Sequence, residues 1–104
     1  MAARIELSRR AQRDLRDLRD LRGTPDLRRP LDGFDRLAEG AENLDIKALQ
    51  GAAPWLRLRV GDVRVIYRPL TADELQALPG SSTAGFLIAR VVNRRDLDRA
   101  VESL

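Results

Sequence analysis

The side chains with the most chemistry to offer lie between Trp55 and Arg68, in the run WLRLRVGDVRVIYR, which holds four arginines and the only tryptophan of the chain. Two segments of alternating polarity flank Gly61-Asp62, and such a pair between alternating segments signals a two-residue hairpin loop. That loop sets Val60 opposite Val63, Leu58 opposite Val65 and Leu56 opposite Tyr67, so one face is apolar and Tyr67 reads as core. The other face then carries Arg59 opposite Arg64, Arg57 opposite Ile66, and Trp55 opposite Arg68. A slip of one residue would bury the arginines and expose the valines, which specifies this register strongly. Like charges directly opposite repel, and nothing else on this face of the hairpin neutralises them. A solvated sheet face is one reading. The other is an external anion, because the planar guanidinium fork matches phosphate or carboxylate at two points. Such a face would take a nucleic-acid backbone or an acidic protein partner.

The rest of the chain must position that hairpin. Residues Ala3 to Leu7 alternate as a short half-buried strand. Ser8 caps a helix to Arg22, with Ala11, Leu15, Leu18 and Leu21 as its apolar stripe and Gly23 as its stop. The threefold Asp-Leu-Arg repeat within it reads as a charged outer face laced with close-range ion pairs. Thr24-Pro25 opens a second helix with a stripe of Leu27, Leu31, Phe34, Ala38 and Ala41, ending around Glu39 to Asn43. Pro30 either kinks this helix or marks a start nearer residue 30.

Leu44 to Pro54 reads as a connector punctuated by Gly51 and Pro54. Residues 71 to 84 read as an exposed loop with a helical hint at Asp73 to Leu78. The β-branched run Gly85 to Asn93 predicts a buried strand, and Leu97, Val101 and Leu104 lie at helical spacing after it. The expected class is therefore α+β, one domain over residues 1–104: an N-terminal strand, a helical hairpin, a three-stranded antiparallel meander and a short C-terminal helix. The helical pair covers one sheet face, and the arginine face stays open or meets the last helix.

Composition narrows the chemistry. With 104 residues there is room for one modest core. There is no cysteine and no histidine, which removes disulfides, thiol metal sites, and the commonest metal ligand and neutral-pH base. Charged residues make up 34% and the formal net charge is +3, with Lys47 the only lysine, a balance that suits an anionic partner. MAARIELSRR lacks the apolar run of a signal peptide, and no segment approaches the roughly 18 apolar residues of a membrane span. The expectation is a cytoplasmic protein with no membrane association, no cofactor, no metal and no small-molecule ligand.

Three segments carry a family resemblance: Lys47-Ala48-Leu49-Gln50-Gly51; Leu56 through Tyr67 (LRLRVGDVRVIY); and Phe86 through Asp96 (FLIARVVNRRD). Together with the order of elements, they make the chain similar to the RelE/ParE toxin superfamily of bacterial type II toxin-antitoxin systems, over about nine tenths of its length. The resemblance implies a small toxin held inactive by a cognate antitoxin that wraps it. RelE-like members cut messenger RNA at the ribosome without a metal, using the 2′-hydroxyl of the RNA as nucleophile, while ParE-like members inhibit DNA gyrase. By resemblance, Arg57, Arg59, Arg64 and Arg94 occupy the surface that stabilises the scissile phosphate. Trp55, Arg68, Arg90 and Arg95 are the further RNA-binding expectations, Arg90 because it shares the strand parity of Arg94.

Many members read His-Arg-x-x-x-Tyr at the end of the last strand. This chain instead has Asn93-Arg94-Arg95-Asp96-Leu97-Asp98, and so departs from the pattern at the acid-base or stacking positions. Trp55 stacks on a base, or else packs as a core or antitoxin-contact residue. The expected function is a metal-independent mRNA endonuclease acting at the ribosome. The alternatives are gyrase inhibition, and a member whose remaining activity is antitoxin binding.

Overall fold

The computed structural model describes residues 2–21, 27–80 and 83–104. The Gly23 stop, the Thr24-Pro25 cap and Ser81-Ser82 of the long loop lie outside those residues. Among the described residues the strands are β1 (Arg4–Leu7), β2 (Asp45–Ala48), β3 (Leu56–Val60), β4 (Val63–Pro69) and β5 (Gly85–Asn93). The helices are α1 (Arg9–Leu21), α2 (Arg28–Ala38), α3 (Ala72–Ala77) and α4 (Leu97–Glu102), with a 3-10 turn, Arg94–Asp96, leading into α4. The strands form one sheet in the order β1-β5-β4-β3-β2. Its centre is the expected meander, and β1 joins β5 in parallel.

The hairpin pairs as its alternation requires: Val60 with Val63, Leu58 with Val65, Leu56 with Tyr67, Arg59 with Arg64 and Arg57 with Ile66. Gly61 sits at φ +60, the left-handed backbone that the tight turn needs and glycine adopts freely. The apolar face of the sheet (Leu58, Val65, Tyr67, Ile88, Val91) packs against Ala11 of α1 and Phe34 and Leu37 of α2 as the main core. Tyr67 is buried there, its ring edge-on to Phe86 at 5.6 Å. On the opposite face Ile66 and Val92 meet Ala100 of α4, with Leu49, Trp55, Leu97 and Val101 around them. The last helix thus covers part of the arginine face and leaves the hairpin end uncovered.

Three readings of the sequence need correction: the connector, the α2 stripe and the outer-face repeat. The start of α2 near residue 30 and the helical hint after residue 71 are borne out. The segment from Leu44 to Pro54 is not all connector, because Asp45–Ala48 forms β2 against β3, with Asp45 opposite Arg59 and Lys47 opposite Arg57. Four residues of alternation are too short a pattern to stand out beside Gly51 and Pro54. In α2 the buried residues are Pro30, Gly33, Phe34 and Leu37, a stripe that leaves Leu31 44% exposed; Ala41 lies beyond the helix end. Pro30 falls in the first turn of a helix that begins at Arg28, where its missing N–H has no intrahelical acceptor to lose. The Asp-Leu-Arg repeat is not wholly an outer face, since its first aspartate, Asp14, is buried. The helical hint in the long loop is α3, closed by a capping box between Thr71 and Glu74. No helix among the described residues is long and apolar enough to cross a membrane.

Candidate anion-binding face

Strand pairing places the expected arginines side by side. Arg57 and Arg59 project from β3 on the same side as Arg64 of β4, because residues two apart on a strand share a face and Arg59 lies directly opposite Arg64. Arg94, at the start of the 3-10 turn, is tied to the hairpin tip by its backbone N–H, which donates to the Asp62 carbonyl at 2.8 Å. Arg64 senses all of them. Desolvation lowers its guanidinium pKa below the ordinary value, and repulsion from Arg59, Arg57 and Arg94 lowers it further. It remains charged, with Nη1 donating to the carbonyls of Gly61 at 2.8 Å and Val63 at 3.2 Å.

The face is not without counter-charge, contrary to the reading of the hairpin alone. Asp45 on β2 lies 3.4 Å from Arg57 and 3.9 Å from Arg59, and Asp62 lies 3.9 Å from Arg94. Both carboxylates are about half exposed or more, so these are loose contacts through high dielectric. Arg57 is well enclosed, its side chain 11% exposed, while those of Arg59 and Arg94 are open to solvent at 54% and 66%.

The remaining site expectations go elsewhere. Arg68 forms a two-point ion pair with Glu74 at 2.7 and 2.9 Å, and that bond holds the Glu74 carboxyl at about 2. The same guanidinium stands over the Trp55 ring, 5.6 Å from its centroid, and Trp55 is half-buried against the cluster beneath α4. Arg90 turns away from Arg94 despite its parity. Its Nε and Nη2 reach Asp14 of α1 at 2.8 and 3.2 Å, and Nη1 reaches Ser103 at 2.7 Å. Arg95 is held by Asn93, whose Oδ1 accepts from both its backbone N–H and its Nε at 3.1 Å. Arg90 and Arg95 line a cleft of about 550 Å³ between α1, the end of β5 and α4, apart from the arginine face.

Three residues escaped the sequence. Asp45 is betrayed only by the alternation of β2, and Asp62 was visible solely as a turn residue. Arg29, in the first turn of α2, stands at the hairpin tip, its Nη1 3.1 Å from where a Cβ on Gly61 would lie. No local pattern announces that long-range contact.

The model of the family described as the ParE toxin of type II toxin-antitoxin systems, parDE, matches residues 5–78. The chain belongs to that toxin family. Two solved structures share its fold. One, a RelB-RelE antitoxin-toxin complex from Methanococcus jannaschii, is 17% identical with a TM-score of 0.58, covering 90% of this chain and 95% of that one. The other, a RelE-RelB complex from Pyrococcus horikoshii OT3, is 23% identical with a TM-score of 0.58, covering 90% of this chain and 97% of that one. No curated protein matches the toxin. The family match includes the hairpin and β2 but stops before β5, so Arg94 and α4 rest on the fold comparison and on the pairing described above.

Proposed function

We propose that this toxin binds RNA through the face built by Arg57, Arg59, Arg64 and Arg94, and cleaves messenger RNA at the ribosome. The observation that carries this reading is the convergence of Arg57, Arg59 and Arg94 on Arg64 across the hairpin face; the Arg64 pKa is lowered by desolvation and further by repulsion from the other three. Repulsion kept at one spot is relieved by a dianionic phosphorane, the species formed when a 2′-hydroxyl attacks the adjacent phosphorus. In that step the new bond runs from the 2′-oxygen to phosphorus and the 5′-oxygen leaves with the electron pair. The products are a 2′,3′-cyclic phosphate and a free 5′-hydroxyl: the attacking 2′-hydroxyl gives its proton to solvent water, and the departing 5′-oxygen takes one from solvent. Arginine keeps its proton at neutral pH and is no general base. The site therefore works by charge stabilisation, and its rate carries no titration between pH 6 and 8 or so.

The match to the ParE toxin model favours a second reading, gyrase inhibition without nucleolysis. The two part in the cell: gyrase poisoning induces a DNA-damage response, and RNA cleavage arrests translation. Under either reading the toxin takes an antitoxin with an acidic, partly disordered segment that folds over the arginine face, as the two structural neighbours are themselves complexes of toxin with antitoxin. Affinity within that pair should fall as salt rises.

The decisive experiment adds the toxin to a bacterial cell-free translation reaction and maps the 5′ ends of a defined message, with Arg64→Ala as control. New ends that need translation and vanish in the variant support the ribonuclease reading. An intact message overturns it. Arg64→Ala should fold normally, because its half-buried side chain lies outside both core clusters and bonds only to carbonyls of the hairpin turn.

A further inference from the structure

β2 lies at the end of the sheet, and all four of its residues are exposed, including Ile46 at 38%. The direction of its backbone groups follows from the ladder. The Val91 N–H donates to Asp14, away from β4, so Arg64 and Ile66 bond to β5 while Val63, Val65 and Tyr67 bond to β3. On β3 that leaves Arg57 and Arg59 to bond Lys47 and Asp45. The Leu49 N–H, donating to the Trp55 carbonyl at 3.1 Å, continues the same parity. The N–H and C=O of Ile46 and Ala48 therefore point outward, with no strand beyond them among the described residues.

We infer that this edge pairs with the same edge of a second copy, antiparallel and centred on Ile46. The segment Asp45-Ile46-Lys47 is self-complementary in that arrangement. Ile46 faces Ile46 of the second copy at a position where both exchange outward N–H and C=O bonds, and Asp45 faces Lys47 of the second copy at the closer, non-bonded position on the arginine face. Shifting the centre by one residue aims inward-bonded groups at the partner and sets aspartate against aspartate or lysine against lysine. The two-fold axis joins the two arginine faces into one surface. Each face also receives a cation from the other copy, because the incoming Lys47 competes with Arg57 and Arg59 for Asp45. With four residues per strand the contact is small, and the dimer is weak and concentration-dependent.

The test is sedimentation of the purified full-length toxin from micromolar to millimolar concentration, read together with hydrogen exchange at the Ile46 and Ala48 amides. The mass should rise from 11.7 kDa toward twice that value, with protection of both amides appearing in step. D45K and K47D each place like charges opposite one another, and each alone should remain monomeric. An equal mixture of the two restores the opposite pairs and should sediment as a heterodimer, which also shows that both variants fold. A monomeric wild type, a dimeric K47D, or a mixture that stays monomeric overturns the inference. So does a monomeric wild type whose Ile46 and Ala48 amides become protected only with an acidic antitoxin peptide, which would give the edge to that partner.

Discussion

Removing the Asp14 carboxylate should cost this fold more than removing any other single charge described above. Asp14 and Arg90 have side chains only 8% and 11% exposed and meet at 2.8 Å, and the same carboxylate accepts the Val91 N–H at 3.0 Å. Beyond Ile88, β5 has no β1 partner, so Asp14 completes a strand edge and neutralises a buried cation at once. Taking one partner from a buried pair costs about 3–5 kcal/mol. Because Arg90 keeps its bond to Ser103, the lower end, about 3 kcal/mol, applies to Asp14→Ala. With a urea m-value of about 2 kcal/mol/M, the midpoint should fall by about 1.5 M. The double variant D14L/R90L removes both charges and leaves chiefly the Val91 N–H unpaired, a cost of about 1 kcal/mol. It should therefore recover more than half of the loss. A single-variant shift below about 0.5 M, or a double variant no better than the single, would refute this account.

Other perturbations test other joints. The Glu74 carboxyl titrates at about 2 in the fold against an ordinary 4.5, chiefly because Arg68 hydrogen-bonds it; its stabilisation is present above the ordinary value and is lost as pH falls toward 2, so Glu74→Gln should flatten the acid limb of the urea midpoint against pH in that window. Gly85→Ala should destabilise by about 1–3 kcal/mol in the same assay, because its Cβ would lie 2.7 Å from Leu70 Cδ1 and 3.0 Å from the Arg4 carbonyl oxygen. Asp45→Asn removes the counter-charge shared by Arg57 and Arg59; it should tighten binding of a single-stranded RNA oligonucleotide by up to about fivefold at low salt, and weaker binding would mean that Asp45 orients those arginines instead of competing for them.

The parts of the fold that could be read from sequence are those in which a short-range pattern determines the answer. Alternation on both sides of Gly61-Asp62 allows one register, and Arg57, Arg59 and Arg64 share a face as a direct consequence. The continuous apolar run Gly85 to Asn93 is a strand for the same reason. Patterns fail where a distant partner decides. Asp14 looks like one more charge in a repeated Asp-Leu-Arg triplet, and only the parallel strand that stops at Ile88 makes it a buried acceptor. Arg90 and Arg94 share parity, yet Val92 between them packs under Ala100, and α1 offers Arg90 a carboxylate. Leu31 fits an apolar stripe by spacing, but Phe34 and Leu37 with Pro30 and Gly33 set which side of α2 meets the sheet.

Apart from Arg4, which bonds Glu6 within β1 at 3.0 Å, the arginines described near carboxylates fall into two groups by distance, and the division bears on function. Arg90 with Asp14 and Arg68 with Glu74 sit at 2.8 and 2.7 Å, each in two-point contact and each joining two separate elements. Those pairs hold α1 to β5 and α3 to β4, and their guanidinium groups have little left to offer a ligand. Arg57, Arg59 and Arg94 stand at 3.4 to 3.9 Å from their aspartates, beyond a good charge-assisted bond, and Arg64 bonds only to carbonyls. These are the four that converge. Asp45 and Asp62 damp the repulsion enough for the face to form without meeting its hydrogen-bonding capacity, and a bound phosphate would supply the oxygens at the shorter distances the guanidinium forks require. The cationic groups available for binding are thus told apart from the structural ones by geometry rather than by abundance, which matters in a chain whose positive charge is nearly all arginine.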